Sequence, residues 1–172
     1  MDRRTFGLGA AASLTLAGCS GAPNRFQSYT GPQVTSVVIN KGARKMYLLH
    51  NEEVLREYEV DLGFAPVGAK TVEGDGKTPE GTYVINRRNP NSSYHLSVGI
   101  SYPNRQDVAD ASAAGKRPGG EIFIHGQPND AKARKRAARV DDWTAGCIAV
   151  KNDEIEEIFA MVKDGTSISL RL

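Results

Sequence analysis

From Val34 onward the apolar residues come in short runs rich in β-branched and aromatic side chains, separated by polar breaks. VTSVVIN (34–40), RKMYLLH (44–50) and EVLREYEVDLG (53–63) are interrupted by Asn40-Lys41-Gly42 and His50-Asn51-Glu52, a pattern that predicts antiparallel hairpins. TYVIN (82–86), YHLSVGISY (94–102), EIFIHG (121–126), CIAV (147–150) and TSISLRL (166–172) extend the series. Helical period is clearest near the end of the chain. There Ile155, Ile158, Phe159 and Val162 share one helical face, Asn152 or Asp153 is placed to cap it, and Asp164-Gly165 ends it. A short helix is also expected around Asp107–Ala114, closed by Gly115, whereas the basic stretch 130–140 (DAKARKRAARV) fits a helix or a solvated loop. The pattern predicts a mainly β domain of seven to nine short, mostly antiparallel strands with one or two packed helices.

The first residues follow a different pattern. MDRRTFGLGAAASLTLAGCSG joins a basic Arg3-Arg4 pair to an apolar run from Gly7 to Leu16, well short of the ~18 apolar residues of a membrane span. Residues 1–18 are therefore expected to be a signal peptide. RRTF followed by Gly-Leu resembles a twin-arginine signal, with Sec export left open. Leu16-Ala17-Gly18-Cys19 resembles a bacterial lipobox, which implies a lipid on Cys19 and an anchor in the membrane; Ser20 resembles the outer-membrane sorting choice. Residues 19–32 would then be a lipidated N-terminus and flexible tether, rich in Gly, Pro and Ser, and residues 33–172 one catalytic-sized domain.

Charge adds little. The formal net charge is +2, and losing residues 1–18 removes two arginines and one aspartate, leaving +1; nothing global points to nucleic acid. Cysteine usage adds more. There are two cysteines, so lipidation of Cys19 leaves Cys147 unpaired in an oxidising compartment, where a free thiol is either buried or needed.

Cys147 opens a strand-like run, and His125 ends another, 22 residues earlier. If the two strands are neighbours, thiol and imidazole meet at one rim of the sheet, the working pair of cysteine acyl-transfer enzymes. A neighbouring imidazolium would lower the thiol from its usual pKa of about 8.5 and supply thiolate near neutrality. His125 would serve as base toward the thiol and acid toward the leaving amine. Gly146 would let a substrate carbonyl approach, and the N–H groups of Ala145 to Cys147 would form an oxyanion hole. On residues alone, a buried structural cysteine beside an unrelated histidine is the competing reading.

His125-Gly126, then about twenty residues, then TAGCIAV (144–150) resembles the signature of the L,D-transpeptidase (YkuD-type) catalytic domain. GDGKTPEGTYVI (74–85) resembles that family's Gly-Asp-x-x-Thr-Pro-x-Gly segment; RNPNSSYHLSVGISYPN (88–104) and EIEEIFAMVKDGTSISL (154–170) resemble its YafK-like envelope branch. The resemblance implies a YkuD-like mixed β-sandwich, with Cys147 as nucleophile, His125 as general base and the Gly126 carbonyl orienting the imidazole. It implies a loop of Thr144, Ala145 and Gly146 at the nucleophile. It also implies a thioester formed on the diaminopimelate–D-alanine bond of peptidoglycan tetrapeptide stems, in the bacterial periplasm, without cofactor or metal. An amine then takes the acyl group; water in its place makes a hydrolase, including one that releases a peptidoglycan-linked outer-membrane lipoprotein. The chain departs from many members at Ala145, where they carry histidine, and at Ala149, where they carry Asn or Arg.

Other residues are weighed beside these. Trp143 is a candidate wall of the substrate cleft or a core residue, and His95 a strand side chain or a cleft residue. Lys132, Arg134, Lys135, Arg136 and Arg139 form a solvated face or a flank of the cleft that meets stem carboxylates. Asp141 and Asp142 are expected in turn or cap roles. The glycine loop 74–81 lacks P-loop spacing and leads into a strand, which excludes nucleotide binding. A papain-like cell-wall peptidase is disfavoured because there the cysteine precedes the histidine and opens a helix. A non-catalytic peptidoglycan-binding lipoprotein is the remaining alternative.

Overall fold

The computed structural model describes residues 25–172. The expected signal peptide, the expected lipobox with Cys19 and the first part of the expected tether lie outside the described residues. Eight strands form one curled mixed sheet: β1 (Ser36–Asn40), β2 (Lys45–His50), β3 (Glu53–Glu59), β4 (Gly81–Asn89), β5 (Ser97–Ile100), β6 (Phe123–His125), β7 (Ile148–Ala149) and β8 (Ser167–Arg171). Their order is β3-β2-β1-β8-β4-β5-β6-β7, antiparallel except for the β1–β8 and β6–β7 pairs. Three helices complete it: α1 (Arg105–Ala113), α2 (Ala131–Ala137) and α3 (Asn152–Met161). The mainly β expectation stands. The basic stretch left open between helix and loop is α2, capped by the Asp130 carboxylate on the Ala133 N–H.

The period-two pattern does what it predicts in β1, β2, β4 and β8. Val37 and Ile39, Met46 and Leu48, Tyr83 and Ile85, and Ile168 and Leu170 are buried, while their neighbours are not. A one-residue slip would expose the whole set, so register is tightly held. Ile155, Ile158 and Met161 of α3 are buried, and the helix packs on β5. Its start differs from expectation. Lys151 is the N-cap residue, with its N–H held by the Glu154 carboxylate (2.8 Å), because the Asn152 side chain is used elsewhere: its oxygen accepts from the Gln127 N–H (2.8 Å), beside the histidine strand.

Two features position the far end of the sheet. The chain leaving β3 crosses to β7, so that Asp61 and Ala149 exchange both backbone hydrogen bonds at 2.9 Å and close the curl over what would be an open edge. The glycine-rich loop 63–80 is bonded to the protein throughout. Buried Lys41 donates to the carbonyls of Gly68 (2.7 Å) and Thr78 (2.9 Å) and to the Glu80 carboxylate (2.8 Å). Lys70 donates to Asp75 (2.9 Å), which also accepts from the N–H groups of Thr71, Val72 and Lys77. Partial burial pushes the Asp75 carboxyl upward, but Lys70 and the three N–H groups outweigh it and hold the pKa down at about 2.

Residues 25–30, within the stretch expected to be a flexible tether, have no regular structure yet lie against the domain. Phe26 packs on Phe159 of α3 (6.2 Å between ring centroids), Gln27 reaches Glu156 (3.4 Å), and Tyr29 packs on the core.

Candidate active site

β6 and β7 are parallel neighbours, with Ile124 opposite Ile148 and His125 opposite Ala149. The strand ends therefore bring His125 and Cys147 to the same cleft, of about 800 Å³. The imidazole is buried, and its Nδ1 donates to the Gly126 carbonyl at 2.8 Å. That bond assigns the proton to Nδ1 and leaves the Nε2 lone pair free to accept one. The Gly126 N–H is in turn held by the carbonyls of Tyr94 (3.0 Å) and Leu96 (3.2 Å), so the orienting group is itself fixed.

The electrostatics differ from the sequence expectation of a preformed thiolate. Burial pushes the His125 pKa down, only partly opposed by its bond to Gly126. Burial pushes the Cys147 thiol up, partly offset by the Phe123 backbone and by the positive charge of Lys70. Both shifts favour the neutral thiol and the neutral imidazole over the ion pair. The thiol sulfur lies 4.0 Å from the Glu121 carbonyl.

Thr144 organises the loop leading into Cys147. Its hydroxyl donates to the Cys147 carbonyl (2.7 Å) and accepts from the Gly146 N–H (3.0 Å). Its backbone bonds Leu62 and Phe64 of the crossing segment at 3.2 and 2.9 Å. The fold itself requires glycine at position 146. Gly146 has φ +135°, and a Cβ there would stand 2.6 Å from the Lys77 carbonyl. Gly63 is equally tight, since its Cβ would meet the Gly76 carbonyl at 2.2 Å. The backbones of the glycine loop and the loop leading into Cys147 are thus stacked with no room for side chains between them.

Trp143 lines the cleft, with its ring 5.6 Å from the His125 ring and its Nε1 donating to Asp61 (3.0 Å). Ala145 also lines it and is exposed, whereas Ala149 is buried and engaged with Asp61. Of the two departures, only that at Ala145 changes the cleft surface. His95 does not line the cleft: its Nε2 lies 2.6 Å from the Glu156 carboxylate on α3. Asp142 is bound by Arg44 (2.7 Å) and by the Leu62 N–H (2.9 Å), so its carboxylate ties distant segments together instead of serving the expected turn or cap. Of the basic run, Arg136 alone lines the cleft.

Sequence reasoning missed Tyr94. Its ring lies 4.5 Å from the His125 ring, between centroids, and it lines the cleft with Trp143. The available signal was its place just before β5, the antiparallel partner of the histidine strand.

The L,D-transpeptidase catalytic domain (YkuD) profile matches residues 35–170. The chain belongs to this family. The L,D-transpeptidase domain is 30% identical to YafK of Escherichia coli over 112 residues, covering 64% of this chain and 38% of that protein. Among solved structures, the helical cell shape determining protein Pgp2 of Campylobacter jejuni superposes with a TM-score of 0.61 at 29% identity, covering 88% of this chain and 52% of Pgp2. L,D-transpeptidase 1 of Mycobacterium tuberculosis shares the fold, with a TM-score of 0.50 at 17% identity over 81% of this chain and 62% of that one. The chain therefore spans about half of Pgp2 and less of YafK, and it matches them through the domain that carries the Cys147–His125 cleft.

Proposed function

We propose that this protein is a cysteine L,D-transpeptidase of the bacterial cell envelope, held to the outer membrane by lipid on Cys19. Its acyl donor is the peptidoglycan tetrapeptide stem. The observation that carries the reading is the orientation of His125: a buried imidazole, with Nδ1 committed to the Gly126 carbonyl and Nε2 free, sharing one cleft with the single cysteine of the domain.

In this mechanism Nε2 takes the thiol proton as sulfur attacks the carbonyl joining diaminopimelate to terminal D-alanine. Because the resting pair is neutral, charge separates only during attack, and the Gly126 carbonyl steadies the imidazolium as it forms. Thr144 already occupies the Gly146 N–H, so the oxyanion falls to the N–H groups of Ala145 and Cys147. Collapse of the tetrahedral intermediate breaks the C–N bond. The imidazolium gives its proton to the departing D-alanine amine, and a thioester remains on Cys147. An acceptor amine then attacks, loses a proton to Nε2, and expels the thiolate, which is reprotonated. Water as acceptor yields the tripeptide instead.

The test is incubation of the chain carrying Cys19→Ser with purified tetrapeptide muropeptides and with lipoprotein-linked sacculi, followed by mass spectrometry, with Cys147→Ala as control. Cys147-dependent dimers linked between diaminopimelate residues support transpeptidation. Cys147-dependent release of lipoprotein without dimers would make the protein a hydrolase. No change in either substrate would return it to a binding-only role.

A further inference from the structure

The cleft wall built by α2 and the turn after it carries two charged side chains that make no hydrogen bond or ion pair among the described residues. Arg136 is the one lysine or arginine among the residues lining the cleft, and it is exposed. Asp141, five residues on, is exposed on the same wall. Neither side chain is held by a hydrogen bond or ion pair among the described residues, and the two do not pair with each other; Asp141 feels only the nearby charge of Arg44, which is hydrogen-bonded to Asp142 instead. The other acidic residues of the cleft are answered: Asp142 by Arg44 (2.7 Å) and Glu121 by Arg87 (2.6 Å). Ala133, Ala137 and Val140 supply apolar surface on the same wall.

An exposed cation and an exposed anion, neither held by a hydrogen bond, beside an apolar surface complement a ligand that carries both charges at the end of an aliphatic arm. A ligand with a lone carboxylate would gain from Arg136 and be repelled by Asp141; a lone ammonium would meet the reverse. A zwitterion is favoured by both, and neither charge needs desolvating without a partner. Of the groups in a tetrapeptide stem, the D-centre of diaminopimelate has this form: ammonium and carboxylate on one carbon, at the end of a methylene chain.

We infer that Arg136 and Asp141 read the zwitterionic D-centre of the diaminopimelate side chain, Arg136 taking its carboxylate and Asp141 its ammonium. This rests on the peptidoglycan-stem reading above. It makes the α2 wall the specificity element of the cleft and separates Arg136 from the other basic residues of its helix.

The experiment follows D-alanine release by the chain carrying Cys19→Ser from three stems: unmodified, with the diaminopimelate side-chain carboxylate amidated, and with its amine acetylated. Arg136→Gln should raise KM for the unmodified stem about tenfold, the scale of one charge-assisted hydrogen bond, with kcat within about twofold. On the amidated stem the same substitution should add less than about twofold, because the carboxylate it served is already gone. Asp141→Asn should behave likewise toward the acetylated stem, and Arg136→Lys should restore most of the preference for the free carboxylate. Lys135→Gln, which does not line the cleft, controls for net charge. If Arg136→Gln matches Lys135→Gln, or costs as much on the amidated stem as on the unmodified one, the inference is wrong while the transpeptidase reading stands. If no stem yields Cys147-dependent D-alanine, both are wrong.

Discussion

The two ends of the sheet are built by different means. At one end β1, β2 and β3 run for five to seven residues, and β1 and β2 alternate more and less buried side chains, so ladder hydrogen bonds and a core face hold them together. At the other end β5, β6 and β7 shrink to four, three and two residues, nearly all buried, and too short for their ladders to fix much. There the structure relies on side chains that bond backbone: Thr144 on the loop leading into Cys147, Asp142 on Leu62, Asn152 on Gln127. The long-strand end supplies stability, and the short-strand end supplies aim. A loop fixed by specific side-chain bonds can hold Cys147 in the same cleft as His125.

The comparison breaks hardest at the reacting groups. Cys147→Ala should abolish D-alanine release, and His125→Gln should lower kcat by roughly a thousandfold, the scale of losing a positioned general base. Both should leave thermal stability nearly unchanged, as calorimetry would show. Ile39→Ala at the opposite end should do the reverse. Truncating this fully buried side chain costs about 2–5 kcal/mol of stability, visible in urea titration, while kcat per folded molecule holds.

Thr144→Val lies between these extremes. It strands the Cys147 carbonyl and the Gly146 N–H, so stability should fall by about 1–3 kcal/mol and kcat by roughly tenfold, with Thr144→Ser restoring both. Stability loss without a kcat loss would mean that the loop is held in place by the stacked glycine backbones alone.

The pH dependence sharpens the picture further. The thiol is raised and the imidazole lowered, so alkylation of Cys147 by iodoacetamide should still be climbing above the usual cysteine range. Activity should persist below the usual histidine pKa of about 6.5 before the imidazole protonates. A thiolate plateau at neutral pH would contradict the neutral resting pair. The smallest effect belongs to the glycine loop. The Asp75 carboxyl is held at about 2, below its unfolded value, so its contribution is present above pH 4 and lost as pH falls from there toward 2. Asp75→Asn should flatten that limb of a stability–pH curve.

Much of this was legible in the sequence because the signals were local. Period-two runs marked the strands within a few residues, and a helical face marked α3. His125 and Cys147 stood out because each sat at the end of a compact apolar run. What stayed hidden depends on chain segments distant in sequence. Tyr94 reaches His125 only through the β5–β6 register, and Asn152 is drawn from capping duty by Gln127. The steric need for glycine at 146 emerges only when Lys77, far upstream, packs against it. The direction of both pKa shifts was equally out of reach, since burial sets them and a sequence shows neighbours without showing depth.

Intact-protein mass spectrometry of the chain carrying Cys19→Ser, quenched in acid during turnover of a tetrapeptide stem, tests the central claim most directly. The account predicts a mass gain equal to the stem less D-alanine, located on Cys147 by digestion and absent from Cys147→Ala. D-alanine release without any adduct on Cys147, persisting in the alanine variant, would contradict it.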